Sequence, residues 1–287
     1  MGYHQSYVRT GYEYVVGNRT GDMFCYNAKQ DGKVISIGEK GIIVEYADST
    51  QKGVSLGRRY GKAEGSIYPH DIETPMKVGQ KFKKGDTIAY NTGFFEPDAL
   101  DPNTIVYKSS MNVKVALYES SQTHEDSSAI SRDVSRKLSA KTIKVRSFVL
   151  DFNQNVRDVL KIGQELGPKD ILMVIEDEIT SMSTVFDEKS LDTLKKLSKQ
   201  APKASYKGVL DKIEVFYHGD KADMSPTLKS LADRSDKQMS EELKASGQPT
   251  YTGQVTDDYR VSGTPLALDK IELRFYIALS TEAGVGD

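Results

Sequence analysis

Residues 112–138 combine the elements of a chemical site. Asn112-Val-Lys-Val-Ala-Leu-Tyr118 has the β-branched alternation of a strand, a short polar gap follows, and then comes His124-Glu125-Asp126-Ser127-Ser128. That order puts two adjacent carboxylates at the carboxyl end of a strand. Such a pair suits water-mediated contact with Mg2+, an ion that keeps much of its hydration shell when bound. An equally local reading makes Asp126 the N-cap of the helix that the serines begin. His124 is not read as a general base, because the four histidines of the chain are scattered and give it no partner. Lys114 is either a phosphate contact or an exposed strand lysine. A second cationic group, Arg58, Arg59 and Lys62 around Tyr60, lies in the polar, glycine-rich stretch 50–67. Cations interleaved with an aromatic can grip a phosphate backbone; the alternative is a solvated surface loop.

The elements that would hold these residues are mostly strands. Lys33–Ile37 and Gly41–Tyr46 are β-branched runs separated by glycines, which predicts a hairpin. Gly79-Gln-Lys-Phe82-Lys-Lys-Gly85-Asp86-Thr-Ile88 alternates buried and wet positions around a tight turn that Asp86 can cap. A degenerate echo follows at Gly163-Gln-Glu-Leu166-Gly-Pro-Lys-Asp170-Ile-Leu172. The separation exceeds usual repeat periods, so the pair indicates recurring barrel-like elements and not a solenoid. Strands are also predicted at 141–150, 171–175, 207–217 and 270–279. Phe186–Gln200 reads as a short amphipathic helix whose terminal lysines complement its dipole. A longer charged helix is expected from Ser225-Pro226 to about Ser246, with proline at its first position. Its apolar residues, Leu228, Leu231, Met239 and Leu243, form a thin stripe. A helix with so little to bury is expected to project or to lie on a partner through that stripe.

Length and composition bound the rest. A chain of 287 residues can build two domains with real cores. The net charge of −2 provides no global field to draw in nucleic acid, so any such contact must be local or come from a partner. Cys25 is the single cysteine, which excludes an internal disulfide and a cysteine-based zinc site. There is no apolar run of membrane-spanning length and no signal-peptide pattern, so the chain is expected in the cytoplasm.

Several motifs, taken in order, resemble the beta-type (second-largest) subunit of multisubunit DNA-directed RNA polymerases. Val8–Glu13 looks like the family's Val-Gly-Thr-Gly-Met-Glu. The Gly32–Tyr46 hairpin, the Gly79–Ile88 motif, the Gly163–Val174 echo, Gly208–Val215 and Ile271–Asp287 each resemble a counterpart. Asn112–Leu117 with Glu125-Asp126-Ser127 resembles Asn-Met-Arg-Val-Ala-Phe followed by Phe-Glu-Asp-Ser. The divergence, without the long insertions of cellular enzymes, suggests a bacteriophage version, in the host cytoplasm or the virion.

The resemblance implies a mainly β fold with some α: part of a double-psi β-barrel, an inserted flap or wall domain of barrel-sandwich type, and a projecting flap-tip helix. Residues 1–145 would carry the approach to the active centre and the first part of the barrel. The flap would be 146–270, with its tip helix at about 225–246, and 271–287 would return to the barrel. Glu125 and Asp126 would stand where the second Mg2+ arrives with the nucleotide, while three aspartates of the beta-prime-type subunit hold the main metal. Lys114 matches a family arginine. The expected partners are the other polymerase subunits, the DNA template, the nascent RNA and a sigma-like promoter factor that the Leu228/Leu231/Met239/Leu243 stripe would meet. The family continues with two phosphate-binding lysines just beyond the position of Asp287. That departure implies a split subunit, with the remaining part of beta on another chain, or a truncated product; alone it should not polymerise RNA. His124 replaces an apolar or aromatic residue of the family, and the Pro-Trp-x-Gly loop is missing.

Two other readings have no catalytic role: a transcription regulator built from a polymerase fragment, and a biotinyl- or lipoyl-carrier-like module. For the carrier, Lys77 stands too close to the Gly-Asp turn, and an adduct mass on Lys77 would decide the matter.

Overall fold

The computed structural model describes residues 3–117, 128–176 and 202–285. The chain is mainly β with a few helices and divides into two compact units. The first comprises 1–142, 244–248 and 280–287; the second comprises 143–243 and 249–279.

In the first unit the strands are β1 (Cys25–Asn27), β2 (Gly32–Ile37), β3 (Gly41–Tyr46), β4 (Gln51–Ser55), β5 (Gly57–Ala63), β6 (Ser66–Glu73), β7 (Lys81–Phe82), β8 (Thr87–Asn91), β9 (Phe95–Pro97) and β10 (Ile105–Tyr107). β4, β3, β2 and β7 form one antiparallel sheet, and β1, β8, β6 and β5 lie side by side in that order. The predicted hairpin is β2–β3. Its buried residues, Val34, Ile42 and Val44, join Phe82, Ile88, Tyr26 and Tyr46 in one core. The two tyrosine hydroxyls meet at 3.0 Å, so neither is left unsatisfied inside. A short helix, α1 (Arg132–Lys137), is capped by Ser131, which accepts from the Val134 N–H.

The second unit holds β12 (Asn155–Arg157), β13 (Glu165–Leu166), β14 (Val174–Glu176), β15 (Gly208–His218), β16 (Arg260–Val261) and β17 (Thr264–Pro265), and all but the first-unit ends (140–142, 280–281 and 244–245) of β11 (Ala140–Asp151), β18 (Lys270–Thr281) and the helix α2 (Pro226–Ala245). β11, β18, β15 and β13 follow one another in a sheet. Alternation along β15 and β18 separates the sheet's faces. Val215, Tyr217, Ile271, Leu273, Phe275 and Ile277 enter the core, while Glu214 faces Arg274 and Phe216 faces Glu272 on the other side.

The two Gly-x-x-Φ motifs fold into the same device, bond for bond. Gly79 (φ +79°) and Gly163 (φ +87°) turn the chain in the left-handed region. Gln80 N–H donates to Lys77 O, and its side chain accepts from Lys77 N–H; Gln164 does the same with Lys161. The motif then ladders onto a strand: Val34 N–H to Gln80 O in one unit, Leu210 N–H to Gln164 O in the other. Asp86 accepts from Lys83 N–H and Asp170 from Gly167 N–H, both through the side chain. Phe82 and Ile88 are buried, as are Leu166 and Leu172. Even the bulges correspond, lying between Val34 and Ser36 and between Leu210 and Lys212. The order differs: the strand pair precedes the motif in the first unit and follows it in the second. Among the described residues the strands form open sheets and close no barrel.

Three expectations change. Residues 50–67 are not a loop but β4, β5 and the start of β6. Their glycines read as loop residues yet serve the hairpin: Glu64 and Gly65 take positive φ in its two-residue turn, and Gly61 permits a close approach described below. Residues 112–117 join no sheet among the described residues, and Val113, Val115 and Leu117 are exposed. Alternation alone makes no strand without an edge to pair with.

The third change concerns α2, which forms where expected, with Ser225 Oγ accepting from Leu228 N–H and Gly247 just past its end. Its stripe does not face outward. Leu228 is fully buried, Leu243 is buried and Leu231 packs on the second unit's core. Ala232, Ser235 and Asp236 fill the middle of the same face. Ser235 Oγ accepts from Val215 N–H, and Asp236 accepts from Gly253 N–H and Tyr217 OH and pairs with Lys221. The stripe looked too thin because satisfied polar groups, and not leucines, complete the seam.

Candidate functional site

The residues first singled out are not assembled into one site. His124, Glu125 and Asp126 lie outside the described residues, as does the 186–200 helix. Lys114 is exposed. Arg58 is held across the β5–β6 hairpin in a two-pronged pair with Asp71, its neighbour in register. Arg59 stands opposite His70 and donates to Lys40 O. Arg58 thus braces the β5–β6 hairpin, and Arg59 ties β5 to the turn between β2 and β3.

The same hairpin lines a cleft of about 560 Å³ in the first unit. Gly61, Lys62, Tyr68, Pro69 and His70 come from β5 and β6. Phe24, Phe94 and the turn 91–93 close its other side, with Met23 and Lys141 at its edge. His70 is the centre of this arrangement. Only 8% of the residue is exposed, and its ring meets Phe24 edge-on at 5.5 Å and Phe94 at 6.4 Å.

The hydrogen bonds of Asn91 fix the chemistry of His70. Asn91, 1% exposed, accepts from Gly93 N–H through Oδ1 at 2.9 Å. Its amide nitrogen must therefore be the atom 2.8 Å from His70 Nδ1, and it donates there. Nδ1 is thus an acceptor, and the neutral ring carries its proton on Nε2. Burial lowers the His70 pKa from 6.5 against the opposing charge of Asp71, so the ring stays neutral at physiological pH. The Nε2–H edge points past Gly61, where an added Cβ would sit 2.7 Å from Nε2. Nε2 makes no hydrogen bond with the described residues and is not sealed from solvent.

Behind the 91–94 turn lies Lys108, also buried. Its ammonium donates to Thr92 O at 2.6 Å and its N–H to Phe94 O. Burial pushes its pKa down from the ordinary lysine value. The cleft thus offers one neutral N–H donor at its floor, aromatic and sulfur walls, and two exposed lysines at its mouth, Lys62 and Lys141. It can hold a ring and an anion; it has no paired acid and base for proton transfer.

The neutrality of His70 has a measurable consequence. Its folded pKa is depressed, so below 6.5 the unfolded chain takes up a proton that the native state refuses. Stability is expected to fall as pH drops from 6.5 to the lowered native value. Urea midpoints followed by circular dichroism should show this fall, and His70→Phe should remove that part of it.

Sequence reasoning missed the cleft because His70 and Asn91 each sit alone in an apolar pattern. The available signal was a polar residue at a buried β position, at Tyr68-Pro-His70 and Tyr90-Asn91. No protein-family model matches the chain, and no curated protein matches it.

Proposed function

We propose that the chain is part of a multisubunit DNA-dependent RNA polymerase, a beta-type subunit forming one wall of the nucleotidyl-transfer site and the flap near the RNA exit. The observation that carries this reading is the recurring device at Gly79–Ile88 and Gly163–Leu172. Two matching turn elements, one in each unit, fit the recurring barrel-like elements that the resemblance implies, and their order along the chain follows the family's. In this reading the first unit supplies the first part of a double-psi β-barrel and the second unit the flap, with α2 as its helix. Because the leucine stripe of α2 is buried, a promoter factor would meet the helix's charged outer face, where Lys229, Lys237 and Glu241 are exposed.

Glu125 and Asp126 keep the role the resemblance implies, beside a site whose main Mg2+ is held by the beta-prime-type subunit. When bound, the two metal ions steady the attacking and leaving oxygens. Lys114, exposed, is a candidate for a phosphate contact, as are Arg58 and Arg59, whose guanidinium groups also bond Asp71 and Lys40 O.

The test is purification of the tagged chain from its native source. The expected product is a stoichiometric complex with a second large subunit carrying Asn-Ala-Asp-Phe-Asp-Gly-Asp, which makes RNA from DNA with Mg2+ and four nucleoside triphosphates. Recovery of the chain without that partner, and without nucleotide incorporation, would overturn the proposal. In the assembled enzyme, Glu125→Ala with Asp126→Ala is expected to slow elongation at low nucleotide about tenfold, a typical loss for groups one shell from a metal. Assembly should be unchanged on gel filtration.

A further inference from the structure

We infer that the cleft over His70 is a binding site for a nucleotide: a flat heteroaromatic ring with a phosphate attached. Four observations lead there. First, His70 is nine-tenths buried and lines the cleft, and its Nε2–H, beside Gly61, makes no hydrogen bond with the described residues. The nitrogen keeps access to the open cleft, where a ring nitrogen or carbonyl of a base can take the place of water as its acceptor. Second, the walls are suited to a ring. Phe24 and Phe94 stand edge-on to one another at 5.2 Å, with Met23 and Tyr68 also lining the space. Stacking on such walls tolerates any base. Third, Lys62 and Lys141 line the cleft, are exposed, and their ammonium groups make no hydrogen bond or ion pair with the described residues. The one carboxylate lining the cleft, Asp71, has both oxygens taken by Arg58, so it does not cancel them. Fourth, the volume of about 560 Å³ lies within the range of small-molecule sites.

The geometry also explains two small residues. At Gly61 a Cβ would meet His70 Nε2 at 2.7 Å and Met23 Sδ at 3.0 Å, so any side chain there would close the donor off. Asn91 holds the imidazole in the tautomer that presents a donor to the cleft. Lys108, just beneath Thr92, adds a positive charge that Glu96 partly offsets.

The experiment uses the isolated full-length chain, so its outcome is independent of whether the chain joins a polymerase. The chain, labelled with nitrogen-15 at histidine, is titrated with each ribonucleoside 5′-monophosphate, and the His70 Nε2 resonance is followed. A saturable shift with at least one nucleotide is expected. His70→Phe keeps a ring and removes the donor, and it should weaken binding, read by calorimetry, about tenfold. Lys62→Glu with Lys141→Glu changes only exposed side chains and should weaken binding similarly, which keeps the test decisive if His70→Phe fails to fold. Inorganic phosphate alone and the unphosphorylated nucleoside should each bind at least about tenfold more weakly than the nucleotide. The inference is overturned by the absence of a saturable His70 shift with any nucleotide. It is also overturned by unchanged binding in the lysine variant, or by phosphate or nucleoside binding as well as the nucleotide.

Discussion

Replacing Arg274 with methionine is expected to destabilise the second unit by about 3–5 kcal/mol, the usual loss when one partner of a buried ion pair is removed. Glu272 is fully buried on the polar face of the β15–β18 ladder. Its Oε1 accepts from Arg274 Nε at 2.8 Å and its Oε2 from Tyr259 OH at 2.6 Å. Arg274 also donates to Tyr259 OH at 2.7 Å, and its guanidinium lies 4.7 Å from the Phe216 ring centroid. The three polar groups thus satisfy one another, and Arg274 lies against the Phe216 and Tyr259 rings with 27% of its side chain exposed. Burial and the bond to Glu272 push the Tyr259 hydroxyl well above the ordinary tyrosine range, so it remains a donor to the carboxylate at any physiological pH. Without Arg274 the carboxylate stays buried with a single donor. Removing both charges should reverse the loss. Arg274→Met combined with Glu272→Leu is expected within about 1–2 kcal/mol of the wild type, because a packed apolar pair replaces a desolvated ionic one. Urea unfolding followed by circular dichroism supplies the cycle. A single-variant loss below about 1 kcal/mol would mean that the pair is screened like a surface bridge and would remove this account of the buried face.

What could be read from the sequence depended on whether a residue's neighbours in sequence were also its neighbours in space. The β2–β3 hairpin, the long strands β15 and β18, and α2 with its serine cap and terminal glycine are local patterns, and they form where the residues predict. The Gly-x-x-Φ turns were legible for the same reason, since Gln80 and Asp86 bond to residues three positions away. Features set by distant partners were not legible. The inward docking of α2 depends on Asp236 meeting Gly253 N–H and Tyr217 OH from other segments. The cleft depends on Asn91 meeting His70, a contact spanning 21 positions. The strand expected at 112–117 illustrates the converse: it has the right alternation but joins no sheet edge among the described residues. The carboxylate pair that dominated the sequence reading, Glu125 and Asp126, depends for its role on the partners proposed above. The neutral histidine donor of the cleft instead follows from this chain's own packing.

Alanine at Gly32 or at Gly208 is expected to cost about 3 kcal/mol or more in the unit that contains it, near the upper end of overpacking penalties. The reason is the same at both sites. A Cβ at Gly32 would lie 2.4 Å from Glu45 O, and one at Gly208 2.4 Å from Ala278 O. Each oxygen belongs to the neighbouring strand's backbone, which cannot swing aside as a side chain can. Both glycines pair with the buried residue of the recurring turn, Gly32 with Phe82 and Gly208 with Leu166, so forcing the strands apart would also loosen that turn. The turn glycines give a contrast. Gly79 and Gly163 have positive φ but nothing within 4 Å of an added Cβ, so alanine there meets only backbone strain of about 1–2 kcal/mol. Native-state hydrogen exchange can separate the four variants. Gly32→Ala should speed exchange at the Val34 and Val44 amides, and Gly208→Ala at Leu210 and Ile277, each by a larger factor than the turn variant of the same unit. Matched losses at corresponding positions would mean that one physical device stabilises both units, although the chain runs through it in opposite orders. If Gly208→Ala were no worse than Gly163→Ala while Gly32→Ala exceeded Gly79→Ala, the two elements would share hydrogen bonds but not the same energetic basis.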